Sequence, residues 1–265
     1  EPIEGWVTRL YAPQNTDAPI AGERCFYTRE NAMRNPRRTS TTASALMIGI
    51  GLVGFIAVTA QSVKASTVDA INQSVTGQYV VTTESFGPTA LPQSMAAELD
   101  AVTGVRVAAG VSATFANIND SGKIILAVDP DAISQVIDFD DVDGSFASLG
   151  VGEIAASEKL AEEKQLKIGD PVELVFIQGG TTTLTLGSIY ETEFPIQGPG
   201  WIISTDQFNT LVPPSQQTFL SIYIKLDDTS SAGVDAALPG LKAVADTVPG
   251  AKLQNLDEYK KAQTD

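Results

Sequence analysis

The feature of this sequence that most constrains its fold is an uncharged run from Thr39 to Val63, whose centre reads ALMIGIGLVGFIAVTA. As an α-helix, a run of this length rises about 37 Å, which exceeds the roughly 30 Å hydrocarbon core of a bilayer. A secretory signal peptide would lie at the extreme N-terminus, whereas 38 residues precede this run. A buried helix of a soluble protein would be shorter and would have a polar face. The run therefore predicts a transmembrane helix.

The charges on either side of the run predict its orientation. Residues 1–38 contain six of the 17 basic residues, all of them arginine, while the rest of the chain has 11 basic and 27 acidic residues. Because positively charged flanks stay in the cytoplasm, we expect Arg34, Arg37 and Arg38 to determine the topology. The N-terminus is then cytoplasmic and the main domain is extracytoplasmic. Cys25 falls on the reducing side, in agreement with this placement.

Composition excludes several functional classes. The chain has no histidine and one cysteine, which removes imidazole general bases, Ser-His-Asp and Cys-His catalysis, and metal sites rich in His or Cys. A net charge of −15 disfavours binding to nucleic acid phosphates, and no Walker A sequence G-x-x-x-x-G-K-[ST] occurs. We therefore expect no enzymatic activity, no catalytic residues, and no bound cofactor or metal in this chain.

Within the apolar run, the segment GIGLVG that begins at Gly49 fits the dinucleotide-binding pattern G-x-G-x-x-G. That pattern binds pyrophosphate only where a strand precedes it and a helix N-terminus follows it. Here the preceding sequence is polar and rich in arginine, and the glycines lie inside an apolar helix. We interpret the small residues Ala45, Gly49 and Gly51 instead as a surface against which a neighbouring membrane helix packs.

The helix is expected to continue beyond the bilayer as a stalk. Val68, Ile71 and Val75 recur at helical spacing among polar residues, and Gly77 is placed to end the helix after Thr76. Residues 41–77 would thus form a transmembrane helix and stalk of about 54 Å. They follow a cytoplasmic, arginine-rich segment, residues 1–40.

Residues 78–256 are predicted to form an extracytoplasmic α+β domain. Strand-like and helical segments alternate as two β-α-β units: Tyr79–Ser85, a helix that opens at Pro92, Val105–Ala116, then Phe219–Leu226, Val234–Val248 and Ala251–Leu256. Two such units separated in sequence predict a ferredoxin-like split β-α-β domain with an inserted α+β subdomain at about residues 125–217. In the insertion, Asp129-Pro130 and Ser204-Thr205-Asp206-Gln207 have the sequences of helix starts.

The last segment, residues 257–265, is predicted to begin a second stalk or membrane helix. Asp257 is the expected N-cap, and acidic residues precede two lysines, as the helix dipole favours. The strands at the two ends of a split β-α-β domain can lie side by side. We therefore expect the chain to enter and leave the domain at adjacent positions.

Two acidic segments of the insertion are candidates for chemistry. The first ends at Gly144 and contains four carboxylates: Asp138, Asp140, Asp141 and Asp143. An EF-hand register fails there, because Phe139 would take the first ligand position. A solvated acidic turn and a looser calcium site at residues 138–143 both remain open. The second segment, EKLAEEK at residues 158–164, interleaves opposite charges as a solvated helix face does.

Two stretches carry a family resemblance: RENAMRNPRRTSTTASALMIGIGLVG, and AVDPDAISQVIDFDDVDGSFASLGVGEIAASEKLAEEKQLKIGDPVELVF with its D-x-D-x-x-x-G-S and K-x-G-D-x-V-x-L patterns. Together they resemble the FtsX-like, MacB-type permeases of ABC transporters, from Arg29 to Asp265. Residues 1–28 do not match the family. The resemblance implies several membrane helices and a MacB-like periplasmic core domain. The partners that it implies are a separate ABC ATPase subunit that binds ATP, other permease helices or a second permease copy, and membrane lipid.

Two functions from different classes follow. The first is a noncatalytic permease subunit fragment of an ABC transporter in the cell membrane, whose extracytoplasmic domain is coupled through a helical stalk to the ATPase. The alternative is a single-pass, membrane-anchored extracellular binding or sensor module. A surface hydrolase that uses only carboxylates has no supporting motif in the sequence.

Overall fold

The computed structural model describes residues 36–83, 90–119, 121–176, 180–192 and 200–264. The chain divides into two compact units, the first ending at Val63 and the second beginning at Lys64.

Helix α1 extends from Pro36 to Ser74. It contains a 26-residue segment, Ser40–Ala65, that is long and apolar enough to cross a membrane and has no buried residues in its apolar window. A core helix of a soluble protein would be buried, so this exposure supports the transmembrane interpretation. The helix starts before the predicted Thr41, because Pro36 suits the first helical position and the Thr41 hydroxyl donates to the Arg37 carbonyl at 2.8 Å.

The second unit is an α+β domain. Its strands are β1 (Tyr79–Thr83), β2 (Leu91–Pro92), β3 (Val105–Ile118), β4 (Ser121–Val128), β5 (Asp140–Gly144), β6 (Glu153–Ser157), β7 (Pro171–Phe176), β8 (Thr181–Glu191), β9 (Trp201–Ser204), β10 (Thr218–Phe219), β11 (Ser221–Leu226) and β12 (Ala251–Asn255). Its further helices are α2 (Ser94–Asp100), α3 (Pro130–Ile133), α4 (Glu158–Lys164), α5 (Thr205–Leu211), α6 (Ser231–Ala245) and α7 (Leu256–Thr264).

Four strands form the predicted ferredoxin-like half. Their order is β12-β1-β11-β3, and every neighbouring pair is antiparallel. β1 and β3 therefore run in the same direction on either side of β11 and are connected through α2. β11 and β12 likewise run in the same direction on either side of β1, and they are connected through α6. This is the split β-α-β arrangement, so the predicted fold class is confirmed.

Helices α2 and α6 pack on one face of this half. Their apolar side chains meet those of β1 and β11 in one cluster, which includes Met95, Leu99, Leu241, Val81, Ile222 and Ile224. The helix predicted to open at Pro92 begins instead at Ser94, because Leu91 and Pro92 pair with β10 as a short strand.

The insertion continues the same sheet. β4 pairs with the second half of β3, and the sheet then extends through β9, β6 and β8 to β5, while β7 pairs with both β3 and β8. Both predicted helix starts are confirmed. The Asp129 carboxylate accepts from the N–H groups of Asp131 and Ala132, and the Ser204 hydroxyl accepts from the Gln207 N–H at 3.1 Å.

The acidic segment of the insertion forms a strand, so the predicted turn is wrong. All five residues of β5 are exposed, and β5 pairs with β8 at the end of the sheet. The Asp141 carboxylate accepts from the Phe146 N–H at 2.8 Å. Among the residues that the structure describes, no three Asp, Glu or Cys side chains are grouped as a metal site requires.

Candidate functional site: the junction between the long helix and the sheet

The chain passes from α1 into the sheet through four residues, Val75 to Gln78. Val75 forms an antiparallel bridge with Ile137, and the Thr76 N–H donates to the Val136 carbonyl at 2.8 Å. Because this pairing removes Val75 from helical geometry, α1 ends at Ser74 and not at the predicted Thr76.

Gly77 allows the chain to pass close to its neighbours. A Cβ atom there would lie 2.9 Å from the Ile224 carbonyl oxygen and 2.9 Å from the Val136 Cγ1. Gly77 does not have a positive φ, so it is not the left-handed helix terminator that the sequence predicted. Glycine is needed here because no side chain fits between the two neighbouring segments.

Gln78 forms hydrogen bonds to its neighbours through both its backbone and its side chain. Its N–H donates to the Ile224 carbonyl at 2.9 Å, and its carbonyl accepts from the Leu256 N–H at 3.2 Å. Its side-chain Oε1 accepts from the Leu226 N–H at 2.8 Å, and its Nε2 donates to the Thr76 carbonyl at 2.9 Å. The β11–β3 register shifts between Lys225 and Leu226, and the Gln78 side chain satisfies the Leu226 N–H there.

Lys225 on β11 also binds the entering segment, through its side chain. Its ammonium group donates to the Gln135 carbonyl at 2.7 Å and to the Thr76 hydroxyl at 3.1 Å. The Thr76 hydroxyl in turn donates to the Val136 carbonyl at 3.1 Å. Charge-assisted donors form the stronger hydrogen bonds, so Lys225 joins β11, the segment after α3 and the segment that follows α1.

Helix α7 begins where the chain leaves the sheet. Asn255 and Glu258 form a reciprocal capping box: the Glu258 N–H donates to Asn255 Oδ1 at 2.8 Å, and the Asn255 N–H donates to Glu258 Oε2 at 3.0 Å. Asn255, and not the predicted Asp257, is therefore the N-cap. Asp257 lies in the first turn, where it forms an ion pair with Lys260 at 3.1 Å.

A pair of tyrosines connects α7 to the sheet. The hydroxyls of Tyr223 on β11 and Tyr259 on α7 are 2.9 Å apart, and their rings meet edge to face with centroids 6.0 Å apart. Tyr223 is 1% exposed. Burial, and then the neighbouring Tyr259, raise the Tyr223 pKa well above its ordinary value. The Tyr223 hydroxyl thus stays protonated at neutral pH.

We call these four segments the junction: Val75–Gln78, Gln135–Ile137, Tyr223–Leu226 and Asn255–Tyr259. The polar groups of the junction form hydrogen bonds to one another and to the backbone. The entering strand β1 pairs directly with the leaving strand β12, in the register Tyr79 to Asn255. The expectation that the chain enters and leaves at adjacent positions is therefore confirmed.

The residues that the sequence predicted as functional all fall outside the junction. Arg34 lies outside the described residues. Arg37 and Arg38 are in the first turn of α1, where Arg37 is exposed. Ala45, Gly49 and Gly51 are exposed along α1, and a Cβ on either glycine would meet nothing within 4 Å. Their assigned roles in topology and helix packing stay predictions.

Sequence reasoning missed the polar residues of the junction. Gln78, Gln135 and Lys225 are common surface residue types, and their spacing along the chain carries no recognisable motif. Tyr223 gave a weak signal, because a tyrosine lies among apolar residues in the alternating strand Ser221–Leu226. A buried tyrosine hydroxyl needs a partner, but the sequence does not say which residue supplies it.

The junction leads to a prediction about fragments. We expect residues 78–256 to fold as a soluble, acidic domain with adjacent ends, as the β1–β12 pairing allows. Residues 75–264 should be more stable by about 1–3 kcal/mol, because they retain the Val75 bridge and the partner of the buried Tyr223 hydroxyl. Urea unfolding followed by the fluorescence of the buried Trp201 measures the difference. Equal stability of the two fragments would contradict the structural role of the junction.

Comparison with known proteins yields a family and similar folds. A family model described as MacB-like periplasmic core domain matches residues 39–241. A comparison with curated proteins gave no match.

Two solved structures are similar to this chain. The periplasmic region of MacB from Actinobacillus actinomycetemcomitans is 12% identical, with a TM-score of 0.53, and the match covers 73% of this chain and 95% of that one. The extracellular domain of the noncanonic ABC-type transporter YknZ from Gram-positive bacteria is 14% identical, with a TM-score of 0.48, and the match covers 67% of this chain and 99% of that one. At these identities the likeness to the MacB region establishes the fold.

Proposed function

The chain belongs to the family of MacB-like periplasmic core domains, and from this premise we propose that it is a noncatalytic permease subunit of an ABC transporter. The predicted family resemblance is thus confirmed over residues 39–241. The family is a component of transporter permeases, and α1 supplies the apolar helix that anchors an extracytoplasmic domain of this kind. In the proposal, a separate ABC ATPase binds the ATP and moves the membrane helices, and the domain responds.

The observation that carries this proposal is the hydrogen bond between the Leu256 N–H and the Gln78 carbonyl, at 3.2 Å. It lies where the entering and leaving segments meet, just beyond the paired ends of the antiparallel strands β1 and β12. A displacement of either segment is therefore applied to the same edge of the sheet. A permease domain that follows the motion of membrane helices requires this kind of attachment. A sensor with a single anchor requires only the entering segment.

The position of ATP on another subunit is supported by the sequence and by α1. The chain contains no Walker A sequence, and the glycines that fit the dinucleotide pattern lie in the interior of α1. Phosphates bind to the free N–H groups of a helix N-terminus, and a helix interior offers none.

The test is co-purification. The protein, tagged at its native locus, is extracted into nanodiscs, and its partners are identified by mass spectrometry. We expect an ABC ATPase and ATP hydrolysis that vanadate inhibits. Recovery without any ATPase would favour the alternative, a single-pass binding or sensor module.

The proposed orientation, with the N-terminus in the cytoplasm, rests on the arginines before the apolar run. We expect replacement of Arg34, Arg37 and Arg38 by glutamate to weaken or invert export of the domain, since each basic residue contributes about 1 kcal/mol of attraction to an anionic leaflet. The readout is labelling of Ser145→Cys, an exposed position, by a membrane-impermeant maleimide in a Cys25→Ser background.

The matched control replaces the same three arginines by lysine, which keeps the positive charge. This variant should be labelled like the parent. Unchanged labelling after substitution by glutamate would count against the proposed orientation.

A further inference from the structure

A groove on the insertion has no role in the proposed coupling. It opens between strands β5 and β8 and helix α4, and its volume is about 350 Å³, within the range of binding pockets. Apolar residues line it: Val142, Ala161, Leu166 and Ile189. Polar and charged residues also line it: Asp143, Glu158, Glu162, Gln165 and Lys167. The groove therefore combines apolar contact area with three carboxylates and one ammonium group.

Val142 is the most informative lining residue. It is 45% exposed on a strand whose other residues are three aspartates and a glycine. Val142 is the extra residue of a β-bulge, because the pairing with β8 shifts between Asp141 and Asp143. Bulges of this kind redirect a side chain. Here both Val142 and Asp143 line the groove, although neighbouring strand residues ordinarily alternate between faces.

β5 is also an edge strand. It ends the sheet order, and within the described residues no other strand pairs with it than β8. Charged residues on an edge strand deter pairing with other chains. The aspartates of β5 deter pairing with neutral and acidic segments of other chains, whereas they attract a basic segment.

The charge around the groove has one dominant sign. Residues 138–167 contain eight acidic residues and three lysines. Complementary charge across an interface selects the partner and speeds its association. The complement of this surface is a segment that carries lysine or arginine on both sides of an apolar side chain.

We propose that this groove binds a short, extended, basic segment of an extracytoplasmic protein partner. An apolar side chain of the segment contacts Val142 and Leu166, its cationic side chains meet Asp143, Glu158 and Glu162, and its backbone pairs along the edge of β5 that no described strand occupies. This edge favours a peptide over a small amine, which has no backbone to pair with the strand. The inference rests on the proposed function only in placing the partner outside the membrane.

The probe is the amidated peptide Lys-Lys-Leu-Lys-Lys with a photoreactive leucine, and the protein is the 265-residue chain in nanodiscs of neutral lipid. Fluorescence anisotropy measures affinity, and mass spectrometry locates the crosslinks. We expect crosslinks within residues 140–144 and 158–167. A glutamate peptide of the same pattern should not bind.

Matched substitutions on one helix separate the groove from the general negative charge of the domain. Glu162→Lys should weaken binding about tenfold, which corresponds to about 1.4 kcal/mol. Glu163→Lys makes the same charge change at a residue that does not line the groove, and it should leave the affinity within about twofold. Val142→Ser should reduce crosslinking more than Val151→Ser, an exposed valine elsewhere.

Several outcomes would overturn the proposal: no binding, equal losses for the two glutamate variants, or crosslinks scattered over the domain. Competition by hexylamine at the same concentration as the peptide would also overturn it, since the occupant would then be a small cationic amphiphile. None of these outcomes depends on an ATPase, so failure here is distinguishable from failure of the permease proposal.

Discussion

Replacement of Gly110 by alanine is expected to lower the free energy of unfolding by about 2–3 kcal/mol, because it overfills a closely packed site. Gly110 lies on β3 opposite Ile222 of β11, and a Cβ there would collide with the ring of Phe219. Phe219 is 6% exposed and is held in place by the pairing of β10 with β2. The ring therefore has little freedom to move away.

The contact at Gly110 matters beyond local packing, because β10 and β2 lie next to a link between the insertion and the ferredoxin-like half. β10 is also bonded to β3, since the Ser112 hydroxyl donates to the Thr218 carbonyl at 2.7 Å. The amide of Gln93 at the start of α2 donates to Asn209 on α5 at 3.0 Å. A side chain at position 110 would force this region off the sheet and loosen the insertion from the ferredoxin-like half.

A double-mutant cycle with Phe219→Ala tests the origin of this effect. In the Phe219→Ala background, the penalty of Gly110→Ala should largely disappear, because the colliding ring is gone. Gly122→Ala is the matched control: a Cβ there would lie 3.5 Å from Asn117 Oδ1, an ordinary contact, so stability should not fall. Urea unfolding measures all five proteins: the parent, the two single variants, the double variant and the control. An undiminished penalty in the double variant would show that the ring is not the cause.

Replacement of Gln78 by methionine is expected to lower the free energy of unfolding by about 1–3 kcal/mol. Methionine keeps the length of the side chain and removes both of its hydrogen bonds, so the Leu226 N–H and the Thr76 carbonyl lose their partner. Since Gln78 also bonds to both neighbouring segments through its backbone, the variant should loosen the entering and the leaving chain together.

Hydrogen exchange distinguishes this local effect from a general loss of stability. The amides of Leu226 and Leu256 should exchange faster in Gln78→Met, and by a larger factor than amides in the core of β4. Gln216→Met, at an exposed position, should change neither stability nor exchange. Faster exchange at Leu226 alone would mean that Gln78 does not stabilise the entering and leaving segments together.

Sequence patterns predicted the parts of this protein that depend on local chemistry. The uncharged run from Thr39 to Val63 identified the apolar helix, because the cost of placing charges in lipid is set by composition. Asp129 and Ser204 marked helix starts correctly, since a cap satisfies N–H groups only two or three residues away. The two β-α-β units predicted the ferredoxin-like order, because few topologies connect such units without crossing.

The tertiary structure alone decided the rest, because it depends on groups that are distant in sequence. β5 is an edge strand where four aspartates suggested a turn, since pairing with β8 outweighed their low strand propensity. Gly77 and Gly110 are required by neighbours that local pattern does not reveal. The junction is the clearest case. Gln78 acquires its role only when Leu226 and Leu256 lie beside it, and the order of strands in the sheet determines that proximity.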